Sequence, residues 1–112
     1  CMDGTVANKI GTYQYALAAR ENKVPYYVLR QSGPDLGSND SNAIEIEERD
    51  GDELTMIDKK NIAPKNVQGF YPAFDVTPSN LVTRIITDRG IFMANQIKSY
   101  FDNDSFIADS LL

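Results

Sequence analysis

Between Lys9 and Asn22 the chain has no proline, and Ile10, Tyr13, Ala16 and Leu17 recur at helical spacing. Asn22 and Pro25 end that stretch, and Pro25-Tyr26-Tyr27-Val28-Leu29-Arg30 is then a short run of β-formers. The first stretch predicts an amphipathic helix and the second a buried strand. Loop, helix and strand in that order make half of a βαβ unit, which implies a parallel sheet and an α/β fold. No strand pattern precedes the helix, so the expectation is a chain that opens inside a fold and was truncated or cleaved on its N-terminal side. The opening Cys1-Met2-Asp3-Gly4-Thr5 has neither the charged region nor the apolar run of a signal peptide.

Asp75-Val76-Thr77-Pro78 marks a second boundary. Thr77 suits an N-cap, and Pro78 suits the first helical position, where its missing N–H is no loss. Leu81, Val82, Ile85 and Ile86 then predict the buried face of a helix, with Gly90 as the left-handed residue after it. A last helix is expected from about Ile91 to Phe101, with Met93, Ile97, Tyr100 and Phe101 on its apolar side. Between the two boundaries, residues 31–42 read as a long loop, a length usually associated with function or mobility. Ile44-Glu45-Ile46-Glu47 alternates like a half-exposed strand, Asp50-Gly51-Asp52 is a turn, and Leu54 to Ile57 reads as extended. Val67 to Tyr71 predicts a strand that stops at Pro72. The expected layout is one α/β domain over residues 1–101, with two to four short strands, and an acidic tail over 102–112 that orders on meeting a partner.

Composition removes several classes of function. The 112 residues carry 11 Lys plus Arg against 16 Asp plus Glu, a net charge of −5, which argues against a nucleic-acid surface. No apolar run approaches the roughly 20 residues of a transmembrane helix. A single Cys makes no internal disulfide and favours a reducing, cytoplasmic compartment. With no His, the commonest general base and metal ligand is missing from the chain.

The glycine-bearing stretch from Asp3 to Thr12 is the most informative for chemistry. A helix N-terminus presents free N–H groups and a partial positive charge, which together hold a phosphate or carboxylate. Lys9 at that end opposes the helix dipole unless an anion lies between them, so Asn8 and Lys9 are candidate contacts for an anionic ligand. The plainer alternative is an exposed lysine beside a helix cap. Neither nucleotide-binding glycine motif is present. Asp3 fits an Asp-Gly turn, and Asp75 fits a helix cap or a loop closure before its helix. Glu45, Glu47, Glu48, Asp50, Asp52 and Glu53 form an acidic cluster whose spacing does not match a calcium loop, so a solvated face is expected and no metal site. Cys1 has no positioned base to make it a nucleophile.

Three motifs in order carry a resemblance: Val6-Ala7-Asn8-Lys9-Ile10-Gly11-Thr12-Tyr13, Ile46-Glu47-Glu48-Arg49-Asp50, and Tyr71-Pro72-Ala73-Phe74-Asp75-Val76-Thr77-Pro78, continued by Thr87-Asp88-Arg89-Gly90. The chain resembles the family of 5-methylthioribose-1-phosphate isomerases and the regulatory subunits of translation initiation factor two B. The resemblance implies a Rossmann-like parallel sheet flanked by helices, as the C-terminal part of a longer protein that pairs into a homodimer. It also implies conversion of a sugar 1-phosphate aldose to the ketose, without a cofactor, by a catalytic Cys and Asp. Both lie upstream of position 1 in the family, and Cys1 does not match that Cys. No catalytic residue is therefore expected in this chain, which alone cannot isomerise the sugar. Only the substrate contact carries over, onto Asn8 and Lys9, beside a partner that is the missing N-terminal half or a complementary chain. Asp3-Gly4-Thr5 looks more like the regulatory subunits, and Ala73-Phe74-Asp75 more like the isomerases. A non-catalytic regulatory subunit is the alternative.

Overall fold

A computed structural model describes residues 1–102. Of the acidic tail expected at 102–112, all but Asp102 lies outside the described residues. Along the chain the elements are β1 (Val6–Lys9), α1 (Thr12–Glu21), β2 (Tyr27–Leu29), a single 3-10 turn at Ser41–Ala43, β3 (Glu48–Arg49), α2 (Asp52–Thr55), β4 (Met56–Ile57) and β5 (Lys60–Asn61). After these come β6 (Tyr71–Pro72), β7 (Phe74–Thr77), a 3-10 turn at Ser79–Leu81, β8 (Arg84–Thr87), β9 (Gly90–Phe92) and a 3-10 segment at Ala94–Phe101.

The α/β class holds, and the sheets are mixed, with more strands than the two to four expected. β2 and β8 pair in parallel and β8 and β9 antiparallel, in the order β2-β8-β9. β1 pairs antiparallel with β7, β3 with β6, and β4 with β5. A strand does precede the first helix, contrary to the expectation, but its partner is β7, far along the chain, rather than β2. α1 is also shorter than its pattern, because Lys9 and Ile10 belong to β1 and its extension, where Ile10 N–H donates to Ala73 O at 3.2 Å. Gly11, at φ +108, makes the turn from strand into helix that a residue with a side chain rarely adopts.

The helix expected after Pro78 is a single 3-10 turn followed by a strand. Val82-Thr83-Arg84-Ile85-Ile86-Thr87 is a β-branched run, and branching at Cβ restricts χ1 in a helix while fitting a pleated sheet. Gly90 begins β9, across a tight turn from Thr87, instead of ending a helix. The last helix loses Ile91 and Phe92 to β9. Of its four expected apolar residues, Ile97 and Tyr100 are buried while Met93 and Phe101 are exposed. The expected strand at residues 44–47 is irregular chain, and the extended piece at 54–57 is split between α2 and β4. The Val67–Tyr71 strand is reduced to β6, which takes in Pro72 where a break was expected.

The core consists of Val82, Ile85, Phe92, Ala94, Ile97 and Tyr100, with Val6 and Val28 packed on it. Among the described residues no helix is long and apolar enough to cross a membrane. Near β3 and β6 the chain folds onto itself at two glycines: a Cβ on Gly51 would overlap the carbonyl of Gly69, and one on Gly69 that of Gly51. Backbone carbonyls cannot swing aside as side chains do, so Gly51→Ala is expected to destabilise by about 2 kcal/mol, as overpacking typically does. Urea unfolding checks this, and an unchanged midpoint would show that the two segments separate freely.

Candidate functional site

A cleft of about 570 Å³ opens at the carboxyl end of β2. Ile85 and Ile97, both buried, lie beneath it, and Asn8, Thr12 and Tyr26 line one side. The loop after β2 supplies Arg30, Ser32, Gly33 and Asp35. In α/β sheets ligands bind outside the carboxyl ends of parallel strands, and an apolar base with a few polar groups is the usual make-up of such sites.

Asn8 and Lys9 sit on β1, not at a helix N-terminus as expected. Asn8 lines the cleft, and its amide donates to Thr12 Oγ1 at 3.0 Å, while that hydroxyl donates to Lys9 O at 2.7 Å. Lys9 is not among the lining residues. Its ammonium donates to the Tyr71 hydroxyl at 2.8 Å and stands 4.8 Å from the ring centroid. Successive strand residues point to opposite faces, which is why neighbours in sequence part company here.

The N-terminus of α1 is capped by a side chain. The Asp75 carboxylate accepts from Gly11 N–H at 2.7 Å and from Tyr13 N–H at 3.1 and 3.2 Å. The acceptor at this helix end is a side chain of the chain itself, and it meets the helix donors rather than Lys9, whose ammonium is on Tyr71. Asp75 is a cap, but of α1 rather than of the segment after it, and the β1–β7 ladder, which sets Asn8 opposite Asp75, delivers it there. Tyr26 donates its hydroxyl to Thr12 O at 3.3 Å, and burial, with the Asp75 charge, raises its phenol above its ordinary value. Asp3 makes the expected local turn, its carboxylate accepting from Thr5 N–H at 2.9 Å. Burial works against ionisation of Asp3, yet that bond, a second one from the Thr5 side chain and the charge of the chain's ammonium carry its pKa below the usual value.

The three sequence motifs meet around Tyr71. Arg49 lies opposite it in the β3–β6 ladder, with its guanidinium carbon 5.7 Å from the ring centroid. Arg49 also forms a two-pronged pair with Glu53, at 2.9 and 3.0 Å, which holds that carboxyl below its ordinary pKa. Glu53 thus has a cation as partner, and no group of acidic residues among those described is arranged to hold a metal ion. Sequence reasoning missed Tyr71 and Arg30. Tyr71 was visible only as part of its motif, with nothing local to mark it as the partner of Lys9 and Arg49, whereas Arg30 at a strand end could have been found from the strand-end rule.

The sequence and the fold match a known family. The sequence model of the initiation factor 2 subunit family matches residues 1–94, and the chain belongs to that family. It is 52% identical over 90 residues to the methylthioribose-1-phosphate isomerase of Pelotomaculum thermopropionicum, covering 80% of this chain and 25% of that protein. The isomerase of the same name from Roseiflexus sp. is 50% identical over 90 residues, 80% of this chain and 26% of that one. Among solved structures, 5-methylthioribose 1-phosphate isomerase from Pyrococcus horikoshii OT3 superposes with a TM-score of 0.79 at 39% identity, over 89% of this chain and 29% of that one. Translation initiation factor eIF-2B subunit delta from A. fulgidus gives 0.63 at 36% identity, over 78% and 26%. The chain spans about a quarter of the length of the isomerases it matches.

Proposed function

We propose that this chain supplies the C-terminal, sugar-phosphate-binding part of an aldose–ketose isomerase that converts methylthioribose-1-phosphate to methylthioribulose-1-phosphate. The observation that carries the reading is the match to the isomerase structure, whose TM-score of 0.79 exceeds the 0.63 of the initiation-factor subunit. In this reading the parallel β2–β8 pair is part of a Rossmann-like sheet, and the catalytic Cys and Asp lie on protein outside these residues. Two copies pair, in the cytoplasm, and no cofactor takes part. Leu29 on β2, 74% exposed, and Tyr15 on α1, 73% exposed, support further protein covering these faces.

Asn8 meets the sugar hydroxyls from the cleft wall. Lys9 has three donors and gives one to Tyr71, which leaves two for a phosphate oxygen once its long stem turns toward the cleft. The test is an assay of the longer protein that carries this segment, with methylthioribose-1-phosphate as substrate and product followed by NMR. Turnover is expected, and Lys9→Ala should lower kcat/KM at least tenfold, about 1.4 kcal/mol of transition-state binding. Binding without turnover would overturn the isomerase reading in favour of a regulatory subunit, for which Asp3-Gly4-Thr5 speaks. Unchanged kinetics in the variant would remove Lys9 from the site.

A further inference from the structure

No residue from Asp35 to Pro72 is buried, although the stretch contains α2 and the strands β3 to β6. Its outer part, residues 50–70, is an arm. The β3–β6 pair and the backbone contact of Gly51 with Gly69 close its neck, and the β4–β5 hairpin forms its far end. A two-stranded hairpin is marginal in water unless something covers an apolar face of it. Here such a face is present and bare. Ile57 pairs with Lys60 in the ladder, and further along Ile62 N–H donates to Thr55 O at 2.8 Å. Side chains alternate along a strand, so Ile57, Lys60 and Ile62 share one face. Ile57 and Ile62 are 59% and 60% exposed, and Leu54, Val67 and Phe70 carry the apolar exposure back toward the neck. Exposed apolar surface rimmed by charge marks a protein interface.

The two ends of the arm carry opposite charge. Lys59 and Lys60 stand at the hairpin turn and Lys65 follows them, against one acid, Asp58. Glu47, Glu48, Asp50 and Asp52 stand at the neck, and the cation among them in sequence, Arg49, is paired with Glu53 at 2.9 Å. Among the described residues no ion pair joins the two ends within one chain. A two-fold contact is self-complementary, each patch of one copy meeting a different patch of the other and the reverse. Two arms laid antiparallel about such an axis put each basic turn on an acidic neck, with the apolar residues between. Arms laid parallel would oppose like charges, which fixes the register. A segment of this length also supplies the roughly 20–30 residues a side of a stable interface.

We propose that residues 50–70 form a dimerisation arm, which lies antiparallel along the same arm of a second copy, with Lys59 and Lys60 on the partner's Glu48 and Asp52. The existence of a dimer rests on the isomerase reading, whereas the surface that makes it rests on the arm alone.

The experiment is sedimentation equilibrium of the longer protein that carries this segment, with two charge-reversed variants and their mixture. Lys59→Glu with Lys60→Glu makes the turn acidic, and Glu48→Lys with Asp52→Lys makes the neck basic. Each double variant alone should raise the dimer Kd at least tenfold, because like charges then meet at both ends. An equimolar mixture of the two should return to within about threefold of the unaltered protein, since acidic turn meets basic neck and basic turn meets acidic neck. Lys98→Glu, a reversal on the exposed side of the Ala94–Phe101 segment, should change the Kd by under twofold. Variants that dimerise as well as the unaltered protein would overturn the arm and leave the pairing itself standing. Weakened variants that do not recover on mixing would overturn it too, and would place the arm against protein of its own chain. Carbodiimide cross-linking of unlabelled and 15N-labelled unaltered protein, mixed, needs no variant to fold. Links of Lys59 or Lys60 to Glu48 or Asp52 that join the two isotopes are expected, and links within one isotope only would overturn the proposal. An unaltered protein that stays monomeric would overturn arm and pairing together, while turnover by that monomer would leave the isomerase reading in place.

Discussion

Replacing Asp75 with alanine is expected to destabilise the fold by about 3 kcal/mol. α1 begins after Gly11, which has no side chain to cap it, so its first donors need an acceptor from elsewhere. Asp75 meets the N–H groups of Gly11 and Tyr13 with one carboxylate, in bonds of 2.7 to 3.2 Å. Net contributions of roughly 1.5 kcal/mol for each charge-assisted bond, near the low end of their range because the site is partly open to water, give that total. The negative charge at the helix N-terminus adds a few tenths more. Asp75→Asn keeps an acceptor oxygen and loses the charge, so its loss should be roughly half as large. Urea unfolding of both variants, followed by far-UV circular dichroism, measures the difference. Equal losses would show that charge is irrelevant, and an unchanged alanine variant would show that water caps α1 equally well. The effect reaches the cleft as well: Asn8 is tied to Thr12, the first residue of α1, so loosening that helix end frees the wall that Asn8 presents.

Asp75 also shows where sequence reading succeeds and where it stops. The free N–H groups at the start of α1 were legible, because a helix N-terminus is a local property of the sequence, whereas the expected part of Lys9 at that end was not met. The source of their acceptor was not legible, since the β1–β7 ladder that brings residue 75 to residue 11 is a long-range pairing with no local signature. α1 and β2 were legible as elements from periodicity and β-propensity, but not their burial. β2 is not the buried strand expected, with Leu29 74% exposed, and Ala16 is the buried residue of α1. The turn at Asp3 was legible from its Asp-Gly pair. Leu81 to Ile86 misled because apolar residues at 81, 82, 85 and 86 fit helical spacing as well as a buried strand. The β-branched content was the available arbiter, and it favours the strand that forms. The pairs β3–β6 and β4–β5 have only two residues per strand, too short for any period to show. The cleft itself was half visible. Asn8 came from its motif, while Arg30 takes its meaning from contacts with Gly33 and, through it, Tyr100, 70 residues further along the chain.

Phe92→Ala should be the more damaging substitution, at about 4 kcal/mol. Phe92 is 1% exposed and is the largest fully buried side chain of the described residues. It sits on β9 opposite Ile85 of β8, and its ring lies 6.3 Å from that of Tyr100, tilted by 59°. Truncation removes the transfer free energy of the ring and leaves a cavity that these neighbours can only partly fill, a combination worth roughly 3–5 kcal/mol for buried Phe. Against a typical domain stability of about 5–15 kcal/mol, that loss leaves a large share of molecules unfolded at modest urea. Phe92→Leu, which keeps most of the volume, should lose no more than about 1.5 kcal/mol. Function should follow stability here, because Ile85 lies under the cleft and Tyr100 backs the Gly33 that holds Arg30. The leucine variant is therefore expected to stay folded with the loop after β2 loosened, read as faster amide exchange at Arg30 and Gly33 than in the unaltered chain. Unchanged exchange there would show that the loop after β2 holds its own shape.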